Sequence, residues 1–514
     1  MSSEVIARRQ ELLRRRKQQA NLSSDEGPAV RHEPGVPSPL SRPQRRMWTT
    51  YELDPGSVAY NVGVAVDLDG PLNSEALLAA LEAVVARHDV LRSVFGTGED
   101  GEPTQVAVAP GEGPAGRTDV ETHDLRELPA DRIEAETDAI ARRTAELPFD
   151  LRTAAPLRVR LIRRAAAVHT LVVVVHHIAW DDASSGVFFG ELMTAYRQIT
   201  AGGRPDTARG PQYVDVAGAA SGSTAEGRRF WRDELDPRPE PLELPLLHGH
   251  LERAGERGHE QSRVLRPGTA ELVRSVAREH SASAFMVVLA GVAALVHRYT
   301  GAEDLLVGAP VVNRDVPGGD AVIGYLGNTI PLRVRVAPGD TGTELVNRMR
   351  ETCLRAYAYA DVELDEIVRE APGHDGGPLF DLVLSLRTSV LAPFADAGLT
   401  ARRRPLFSGA ARFALTLAVE LGVDAVTVES NYPAAPQADP LVGAMLAHLD
   451  SVLHGLLIRP DRAVADLAVL DDAERAARTT GPVPERVPAP LVPELLASRA
   501  AERPDAVAVT FAGT

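Results

Sequence analysis

Two adjacent histidines followed by two aspartates form the part of this sequence with the clearest capacity for chemistry. The apolar run Val168–Val175 ends on His176 and His177, and Asp181 and Asp182 follow after a short turn. A histidine ionises near neutral pH, so it can accept or donate a proton where a strand end opens into a cleft. An aspartate four residues later can fix the turn or the tautomer of an imidazole.

Three other interpretations of this segment stay open on the residue types alone. The histidines could be ordinary residues at a strand end, metal ligands with Asp181 as a third ligand, or part of a polar cap for the helix that follows. The predicted N-cap of that helix is Ser184 or Ser185. Metal binding is the least favoured, because adjacent strand residues point to opposite faces and His176 and His177 should not converge on one ion. A histidine pair is therefore weak evidence by itself.

The elements that must hold this segment alternate between strand and helix patterns. Residues 62–68 alternate as a half-buried strand does, and residues 77–85 carry apolar side chains at helical spacing. The alternating residues 157–161 and the continuous run 168–175 predict a hairpin or two neighbouring strands. The histidines therefore lie at the end of a buried strand.

The second half of the chain repeats this style after a polar, proline-containing connection over residues 203–263. A strongly apolar helix is predicted from about Ala284 to Tyr299, and a late helix carries Met445, Leu449 and Leu456. Strand patterns lie between these helices, at residues 305–307, 332–336, 382–386 and 426–430. Two mixed α/β lobes of roughly 200 residues each suit this order, so we predict an α/β (α+β) fold.

The composition excludes several classes of function. The 514 residues include 55 basic and 71 acidic side chains, a net charge of −16, which argues against a nucleic-acid surface. Lys17 is the only lysine and lies in the N-terminal tail. The folded body therefore lacks the lysine that a Walker A loop or a pyridoxal phosphate Schiff base needs.

Cysteine usage and hydropathy bear on the compartment. Cys353 is the only cysteine, which excludes an internal disulfide and a cysteine-based zinc site and fits a reducing compartment. No run reaches the roughly 18 apolar residues of a membrane span, and the N-terminus lacks the apolar core of a signal peptide. Arginine in place of lysine is typical of a GC-rich genome. We therefore expect a bacterial cytoplasmic protein without a membrane or nucleic-acid partner.

Residues 176–182 (HHIAWDD) resemble the HHxxxDG signature of condensation domains of nonribosomal peptide synthetases, which are relatives of chloramphenicol acetyltransferase. Other segments resemble further motifs of that family in the same chain order. They are SRPQRRMW at residues 41–48 (SxAQxRLW), RHDVLRSVF at 87–95 (RHExLRTxF), YVD at 213–215 (YxDYA) and IGYLGNT at 323–329 (IGxFVNT). The resemblance spans residues 40–475.

The resemblance implies roles for particular residues. His177 takes the position of the family's active-site histidine, and His176 and Asp181 support the loop around it. Arg314 matches an arginine that pairs with the motif aspartate, which would tie one lobe to the other. Further supporting positions are Trp180, Ser185, Arg46, which is expected to be structural, and Tyr325 and Asn328, which are expected on the strand beside a tunnel or as packing residues at its end.

Two departures from the family pattern stand out. Asp182 replaces the motif glycine, where the phosphopantetheine arm of the acceptor approaches. It could be a tolerated helix N-cap, or it could mark a subtype that couples condensation to dehydration of a Ser or Thr residue. The sixth motif (HQDxPFE) is degraded to YADVEL at residues 359–364, far from the histidines in sequence.

The implied fold is a pseudo-dimer of two chloramphenicol-acetyltransferase-like lobes in a V shape with a central tunnel. The implied activity is an acyl transfer that joins a donor acyl or peptidyl thioester to the amine of an acceptor aminoacyl thioester. Both substrates would be tethered to peptidyl carrier proteins that supply the phosphopantetheine arms, so we expect no bound cofactor or metal. We also expect the chain to be a monomer.

Two alternative functions stay open. One is a condensation domain that also dehydrates a Ser or Thr residue, and the other is a non-catalytic recruitment platform.

The same comparison divides the chain into four parts. We expect an N-terminal helix and linker, then the two lobes, then a linker with the truncated start of an adenylation domain. The N-terminal helix is interpreted first as a solvated leader, with docking of an upstream protein as the alternative. That last assignment comes from residues 491–496 and 503–509, and it implies an adenylation domain downstream. The expected bounds are 1–36, 37–215, 216–475 and 476–514.

Overall fold

The structure of the chain, a computed structural model, describes residues 32–218, 223–242, 244, 257–373, 377–387, 391–435, 438–480 and 491–504. It divides into a large unit, Met1–Val469, and a small unit, Leu470–Thr514. The predicted leader helix within residues 1–20 lies outside the described residues. Helices and strands of the large unit form two lobes, each with its own sheet and its own buried core.

The N-terminal lobe is built on a five-stranded sheet beside a small three-stranded one. In the larger sheet the two central strands pair antiparallel over their whole length, from Asn61 opposite His176 to Asp69 opposite Val168. The described elements of this part of the chain are β1 Ser38–Pro39, α1 Arg42–Leu53, β2 Asn61–Asp69, α2 Ser74–Arg87, β3 Ser93–Thr97, β4 Pro103–Ala107, β5 Asp119–Asp124, α3 Ala130–Ala145, β6 Leu157–Ala165, β7 Val168–His176, α4 Asp182–Thr200 and α5 Tyr213–Gly218.

Strand β7 is buried because it lies in the middle of this sheet, between β2 and β6. Its continuous apolar run suits a strand covered on both faces, and residues Leu171 to Val175 are all buried. Helix α3 packs against β2, β6 and β7, while α2 and α4 pack against each other. The predicted hairpin of β6 and β7 is confirmed, and it delivers the two histidines to one end of the sheet.

The C-terminal lobe is built on a six-stranded sheet. The described elements of the second half of the chain are α6 Ala225–Glu234, β8 Gly258–Val264, α7 Thr269–Glu279, α8 Ala284–Thr300, β9 Asp304–Val311, β10 Asn328–Arg335, α9 Gly342–Tyr357, α10 Leu364–Glu370, β11 Leu382–Arg387, α11 Ala392–Asp396, β12 Thr400–Arg404, β13 Leu415–Leu421, β14 Val426–Pro433 and α12 Ala438–Ile458. The sheet of the C-terminal lobe has the order β10-β9-β11-β13-β14-β8, and helix α8 packs against α7, α9 and α12. Helix α11 instead packs on α4 of the N-terminal lobe.

One strand from the second half of the chain completes the sheet of the N-terminal lobe. Strand β12 leaves the C-terminal lobe and pairs antiparallel with β2 at the sheet edge. The hydropathy pattern of the sequence predicts neither β12 nor β13. Strand β12 contains three consecutive arginines, which are more typical of a loop. Arg402 and Arg404 are accommodated in the sheet because they bind the carboxylates of Asp69 and Asp67 on β2.

Helix α12 is long and apolar enough to cross a membrane by length and composition, and 61% of its most apolar window is buried inside the fold. Its Leu453 packs so closely on Gly291 of α8 that a Cβ at Gly291 would lie 2.7 Å from the leucine Cδ1. This contact makes α12 a core helix of the C-terminal lobe.

The small unit contains helices α13, Asp472–Thr480, and α14, Val492–Glu502. Helix α14 covers the segment that we expected to begin an adenylation domain. The strand predicted with it, within residues 503–509, lies mostly outside the described residues. The adenylation assignment therefore stays a prediction.

Candidate functional site

His177 lies where the chain leaves the central strand of the N-terminal lobe. Strand β7 ends at His176, and residues His177–Ala179 form a single 3-10 turn before α4. The backbone N–H of His177 donates to the carbonyl of Tyr60 at 2.8 Å, so the turn is attached to the start of β2. The half-buried imidazole is thereby held at the end of the sheet.

The tautomer of His177 follows from a single contact. Its Nδ1 lies 2.5 Å from the backbone carbonyl of Trp180. A carbonyl can only accept, so Nδ1 carries the proton and Nε2 presents a lone pair. Burial and then the positive charge of Arg412 lower the pKa of His177 to about 4, with Asp181 acting in the opposite direction. At neutral pH the ring is therefore an uncharged hydrogen-bond acceptor.

Two tyrosines enclose this imidazole. The ring of Tyr325 lies 4.7 Å from that of His177 between centroids, and the ring of Tyr60 lies 6.5 Å away. Arg46, from the first family motif, donates to the Tyr325 hydroxyl at 3.2 Å and lies 3.7 Å from Asp365. Arg46 is thus placed behind Tyr325, where it can orient the phenol.

His176 has a different environment and the opposite tautomer. It is buried among the rings of Tyr51, Tyr60 and Phe149, and its Nδ1 accepts from the N–H of Ile178 at 3.2 Å. Burial, with His177 next in effect, lowers its pKa to about 3. The two histidines therefore do not converge, and His176 holds the turn that presents His177.

Asp181 and Arg314 form the predicted ion pair, with Arg314 Nη2 at 2.6 Å from Asp181 Oδ1 and both side chains buried. Arg314 follows β9 and also donates to the carbonyls of Gly319 and Val322. The other carboxylate oxygen of Asp181 accepts from the N–H of Leu326 at 3.1 Å. The pair therefore fastens the segment after β9 to the start of α4, as expected.

The helix cap is different from the one predicted. Asp181 caps α4 by accepting from the Ser184 N–H at 2.9 Å, and Ser184 Oγ in turn accepts from the Asp181 N–H at 3.2 Å. Neither Ser184 nor Ser185 is the N-cap, because the chain turns into the helix two residues earlier. Asp182 is likewise the first helical residue rather than the cap.

Three of the family motifs meet at Gly324. The Tyr213 hydroxyl lies 2.6 Å from Ser41 Oγ and donates to the carbonyl of Tyr325 at 2.9 Å. Gly324 has φ +153°, and a Cβ there would lie 2.1 Å from the Tyr213 ring. Only glycine allows this approach, which places Tyr325 against His177.

Asp182 is exposed, and within the described residues its carboxylate makes no hydrogen bond or ion pair. The protein atoms that crowd it raise its pKa, whereas the charges of Arg387 and Arg403 act against that rise. Both arginines come from strands of the second half of the chain, β11 and β12. The carboxylate that replaces the motif glycine is thus accessible and close to residues from the opposite half of the chain.

The remaining supporting positions are structural in their contacts. Trp180 is buried against Phe188, and its indole N–H donates to Ser185 Oγ at 3.2 Å, so neither side chain faces His177. Asn328 is also buried, and its amide donates to the carbonyls of Ala360 and Val362. It packs at the strand end and holds the degraded sixth motif in place.

That sixth motif lies closer to the site than its sequence position indicates. Burial raises the pKa of Glu363 to about 7, with Asp365 adding to the rise and Arg46 opposing it. The charge of Glu363 also acts on Tyr325. Glu363 belongs to the degraded motif that the sequence places far from the histidines, and no local pattern in the chain marks Tyr60 or Arg412 as neighbours of His177.

No group of three or more His, Cys, Asp or Glu side chains within the described ranges could hold a metal ion. The neutral imidazole of His177 is instead surrounded by the phenols of Tyr60 and Tyr325, with the guanidiniums of Arg46 and Arg412 beyond them. Such an arrangement can orient a nucleophile that carries a proton and can favour negative charge on an acceptor oxygen.

The chain is similar to known proteins over most of its length. Residues 37–478 match the family profile of the Condensation domain. Isonitrile lipopeptide synthase of Mycobacterium tuberculosis (strain ATCC 25618 / H37Rv) is 32% identical over 92% of this chain and 19% of its own length. Phosphinothricin tripeptide synthetase PhsB of Streptomyces viridochromogenes is 31% identical over 92% of this chain and 41% of its own length. The chain spans less than half of these relatives.

The fold is also that of a solved protein, the first condensation domain of the calcium-dependent antibiotic synthetase in complex with substrate analogue 2a. The two share 25% identity with a TM-score of 0.74, over 84% of this chain and 100% of that one. The predicted chloramphenicol-acetyltransferase-like fold is therefore confirmed. Because the family profile covers most of its length, the chain belongs to the condensation domain family of nonribosomal peptide synthetases.

Proposed function

We propose that this chain joins a donor acyl or peptidyl thioester to the amine of an acceptor aminoacyl thioester. The observation that carries the proposal is the uncharged imidazole of His177, whose Nδ1 proton is engaged by the Trp180 carbonyl and whose Nε2 is left as an acceptor. An amine that attacks a thioester needs such an acceptor for its proton. The products are an amide and a free thiol.

The low pKa of His177 favours orientation of the amine over strong base catalysis. Nε2 accepts a hydrogen bond from the neutral amine and directs its lone pair at the donor carbonyl carbon. As the C–N bond forms, the nitrogen becomes positively charged and acidic, and its proton can then leave through Nε2. The C–S bond breaks when the tetrahedral species collapses, and the thiolate takes up a proton. Much of the acceleration comes from holding two tethered substrates together.

The proposed partners follow from this chemistry. Donor and acceptor peptidyl carrier proteins bring the substrates on phosphopantetheine arms, and the two arms meet in the tunnel between the lobes. An adenylation domain downstream of the chain, a cytoplasmic location and a monomeric state belong to the same proposal. In support, the stretch shared with this chain covers only 19% and 41% of the lengths of the two relatives.

The test replaces His177 with alanine and measures amide formation from loaded carrier proteins by mass spectrometry. Loss of a positioned proton acceptor should lower the rate by about 10²–10⁴-fold. The variant should keep its melting temperature, since the ring packs in a half-buried site. His280→Ala, at the end of α7, is the matched histidine control and should retain wild-type turnover. Unchanged turnover in His177→Ala contradicts the proposal.

A second candidate function adds dehydration of a Ser or Thr residue to the condensation. The free carboxylate of Asp182 favours it, because its raised pKa and lack of a hydrogen-bond partner suit a group that transfers protons. Dehydration needs one group to remove the α-proton and another to assist departure of hydroxide. His177 alone would have to perform both steps during condensation.

Asp182→Gly restores the usual motif and separates the two functions. If Asp182 acts in dehydration, the product of the variant should keep the amide and regain 18 mass units, the approximate mass of one water. Asp182→Asn keeps the bulk and removes the proton transfer, so it should give the same product. An unchanged product mass in both variants assigns Asp182 only a favourable position near the helix N-terminus. Absence of any product from the wild type would instead favour a recruitment platform.

A further inference from the structure

Arg412 lies on the segment that joins the two lobes between β12 and β13, residues 405–414. Leu406 at its start packs on β2, so close to Gly63 that a Cβ there would lie 2.8 Å from the leucine Cδ2. The segment therefore passes directly over the N-terminal sheet before it returns to the C-terminal lobe.

The second part of this segment is held by the C-terminal lobe. The carbonyl of Gly409 accepts from the N–H of Gly258 at 2.8 Å, and the carbonyl of Ala410 accepts from the side chain of Asn431 at 3.3 Å. A Cβ at Gly258 would lie 2.7 Å from the backbone nitrogen of Ala411, so the segment that carries Arg412 is in close contact with the start of β8. The backbone that carries Arg412 is thus fixed from two sides.

The guanidinium of Arg412 lies over the ring of Tyr60, 5.4 Å from its centroid. Tyr60 accepts the backbone N–H of His177, and its ring is 6.5 Å from the imidazole. These two separations place the guanidinium carbon within about 12 Å of the imidazole centroid. Within the described residues, Arg412 makes no hydrogen bond or ion pair, and its aromatic contact leaves its positive charge unneutralised.

The lack of an ion pair in the described residues distinguishes Arg412 from the other arginines around the site. Arg314 is neutralised by Asp181, and Arg46 lies beside Asp365. The titratable and charged groups around His177 are His176 at the strand end, Asp181 at the helix cap, Tyr60, Tyr325 and Arg412. Arg46 and Glu363 act on Tyr325 from beyond its ring. Among the arginines of this group in the described part of the chain, Arg412 is the one without an ion pair.

We propose that Arg412 is an electrostatic positioning residue of this site: its unneutralised charge keeps His177 and the arriving acceptor amine uncharged and favours negative charge on the donor carbonyl oxygen. The inference rests on the proposed condensation. A positive field disfavours a second cation, so both the imidazole and the amine keep their lone pairs at a lower pH than they would otherwise. The same field stabilises the tetrahedral species as its oxygen becomes negative.

The test uses Arg412→Gln, which removes the charge, and Arg412→Lys, which keeps it. Titration of the His177 ring by NMR in the whole chain should show its pKa moving upward by at least about half a unit in the glutamine variant. The acidic limb of the pH profile for amide formation should move in the same direction, and the rate at neutral pH should fall. Arg412→Lys should stay close to the wild type in both measurements.

Two further variants keep the result interpretable. Arg402→Gln removes an exposed arginine of β12 that pairs with Asp69, and it should change neither the titration nor the profile. Tyr60→Leu removes the aromatic support but keeps the charge of Arg412, so a smaller shift in the same direction is expected even if Arg412→Gln folds poorly. A His177 titration that is the same in Arg412→Gln and in the wild type overturns the inference. A wild type that forms no amide overturns the proposed function instead, because the NMR titration does not depend on turnover.

Discussion

At the scale of single residues, the adjacent imidazoles of His176 and His177 have opposite tautomers, because one contacts a hydrogen-bond donor and the other an acceptor. Nδ1 of His177 faces a backbone carbonyl and must carry a proton, whereas Nδ1 of His176 faces a backbone N–H and must not. Burial lowers both pKa values. One ring is thereby directed at the reaction and the other at the turn that supports it.

The buried His176 makes stability depend on pH. Its pKa is lower in the folded chain, about 3, than the roughly 6.5 of an unfolded chain, so the unfolded state binds the proton first as pH falls. The stabilisation is therefore complete above about pH 6.5 and decreases below it, by up to about 1.4 kcal/mol per pH unit. In His176→Asn, which keeps an acceptor for the Ile178 N–H, the contribution of His176 to this dependence should be absent, while that of His177 should remain.

Chemical denaturation of both proteins from about pH 7.5 to about pH 4.5 measures the effect. The free energy of unfolding of the wild type should exceed that of His176→Asn most at the upper end, and the gap should close as the solution is acidified. A gap of constant size would show that His176 is not held neutral by the fold.

At the scale of elements, the start of α4 is where the two lobes are joined. One carboxylate, Asp181, caps the helix, pairs with Arg314 and accepts the N–H of Leu326. The side chains of Asp181 and Arg314 are 7% and 5% exposed, so solvent can replace neither partner. The cap therefore holds the histidine turn and the segment that carries Tyr325 in one arrangement.

Removal of the aspartate should be costly because it leaves a buried, uncompensated guanidinium. We expect Asp181→Ala to lower the free energy of unfolding by about 3–5 kcal/mol. The double variant Asp181→Ala/Arg314→Leu should lose less than the two single variants together, since no buried charge remains. Urea unfolding of the four proteins measures this coupling.

Glu136→Ala is the matched control, because the ion pair of Glu136 with Arg143 is exposed and should contribute less than about 1 kcal/mol. Additive losses in the double variant would contradict a coupled buried pair. So would an Asp181→Ala variant that is as stable as this control.

At the scale of the whole large unit, segments from the second half of the chain pack in the N-terminal lobe. Strand β12 joins the N-terminal sheet after the chain has entered the C-terminal lobe, and Tyr325 and Leu326 pack in the N-terminal core although they precede β10 of the other sheet. Arg404 at the end of β12 binds Asp67 with two hydrogen bonds, at 2.9 and 3.0 Å, and also reaches Asp138 and Glu134 of α3. The crossing is therefore anchored by charge as well as by the backbone ladder.

Two arginines on this one strand should differ sharply in their effect on stability. Arg404 is 11% exposed, and Arg404→Ala should destabilise the chain by about 1.5–3 kcal/mol, because Asp67 loses hydrogen bonds in a mostly dry site. Arg402, 69% exposed and paired with Asp69, should give a change below about 1 kcal/mol on substitution by alanine. Thermal unfolding of both variants gives the comparison.

Amide formation should also fall in Arg404→Ala, because β12 leads into the segment that carries Arg412. Equal melting temperatures for the two variants would mean that the crossing strand is held by its backbone hydrogen bonds alone. In that case Arg404 would have no role in joining the lobes.

Much of this architecture could be predicted from local patterns. The buried run that ends on His176 and His177, the apolar helix α8 and the pair of Asp181 with Arg314 were all expected, the last through the family resemblance. The strand and the helix are marked in the chain because an element that faces a core repeats its apolar residues at a fixed period. The type and order of the main elements and the residue types of the site were therefore determined by the sequence itself.

Other features were decided only by the tertiary structure. The Trp180 carbonyl that sets the tautomer of His177 is a backbone group, which no residue type reveals. Strand β12 forms because carboxylates on β2 face its arginines, and Glu363 and Arg412 approach the site from positions about 190 and 240 residues away from the histidines. Periodicity records which face of an element is buried, but not which distant charges will meet there, so the electrostatics of the site emerged only when the two lobes were folded together.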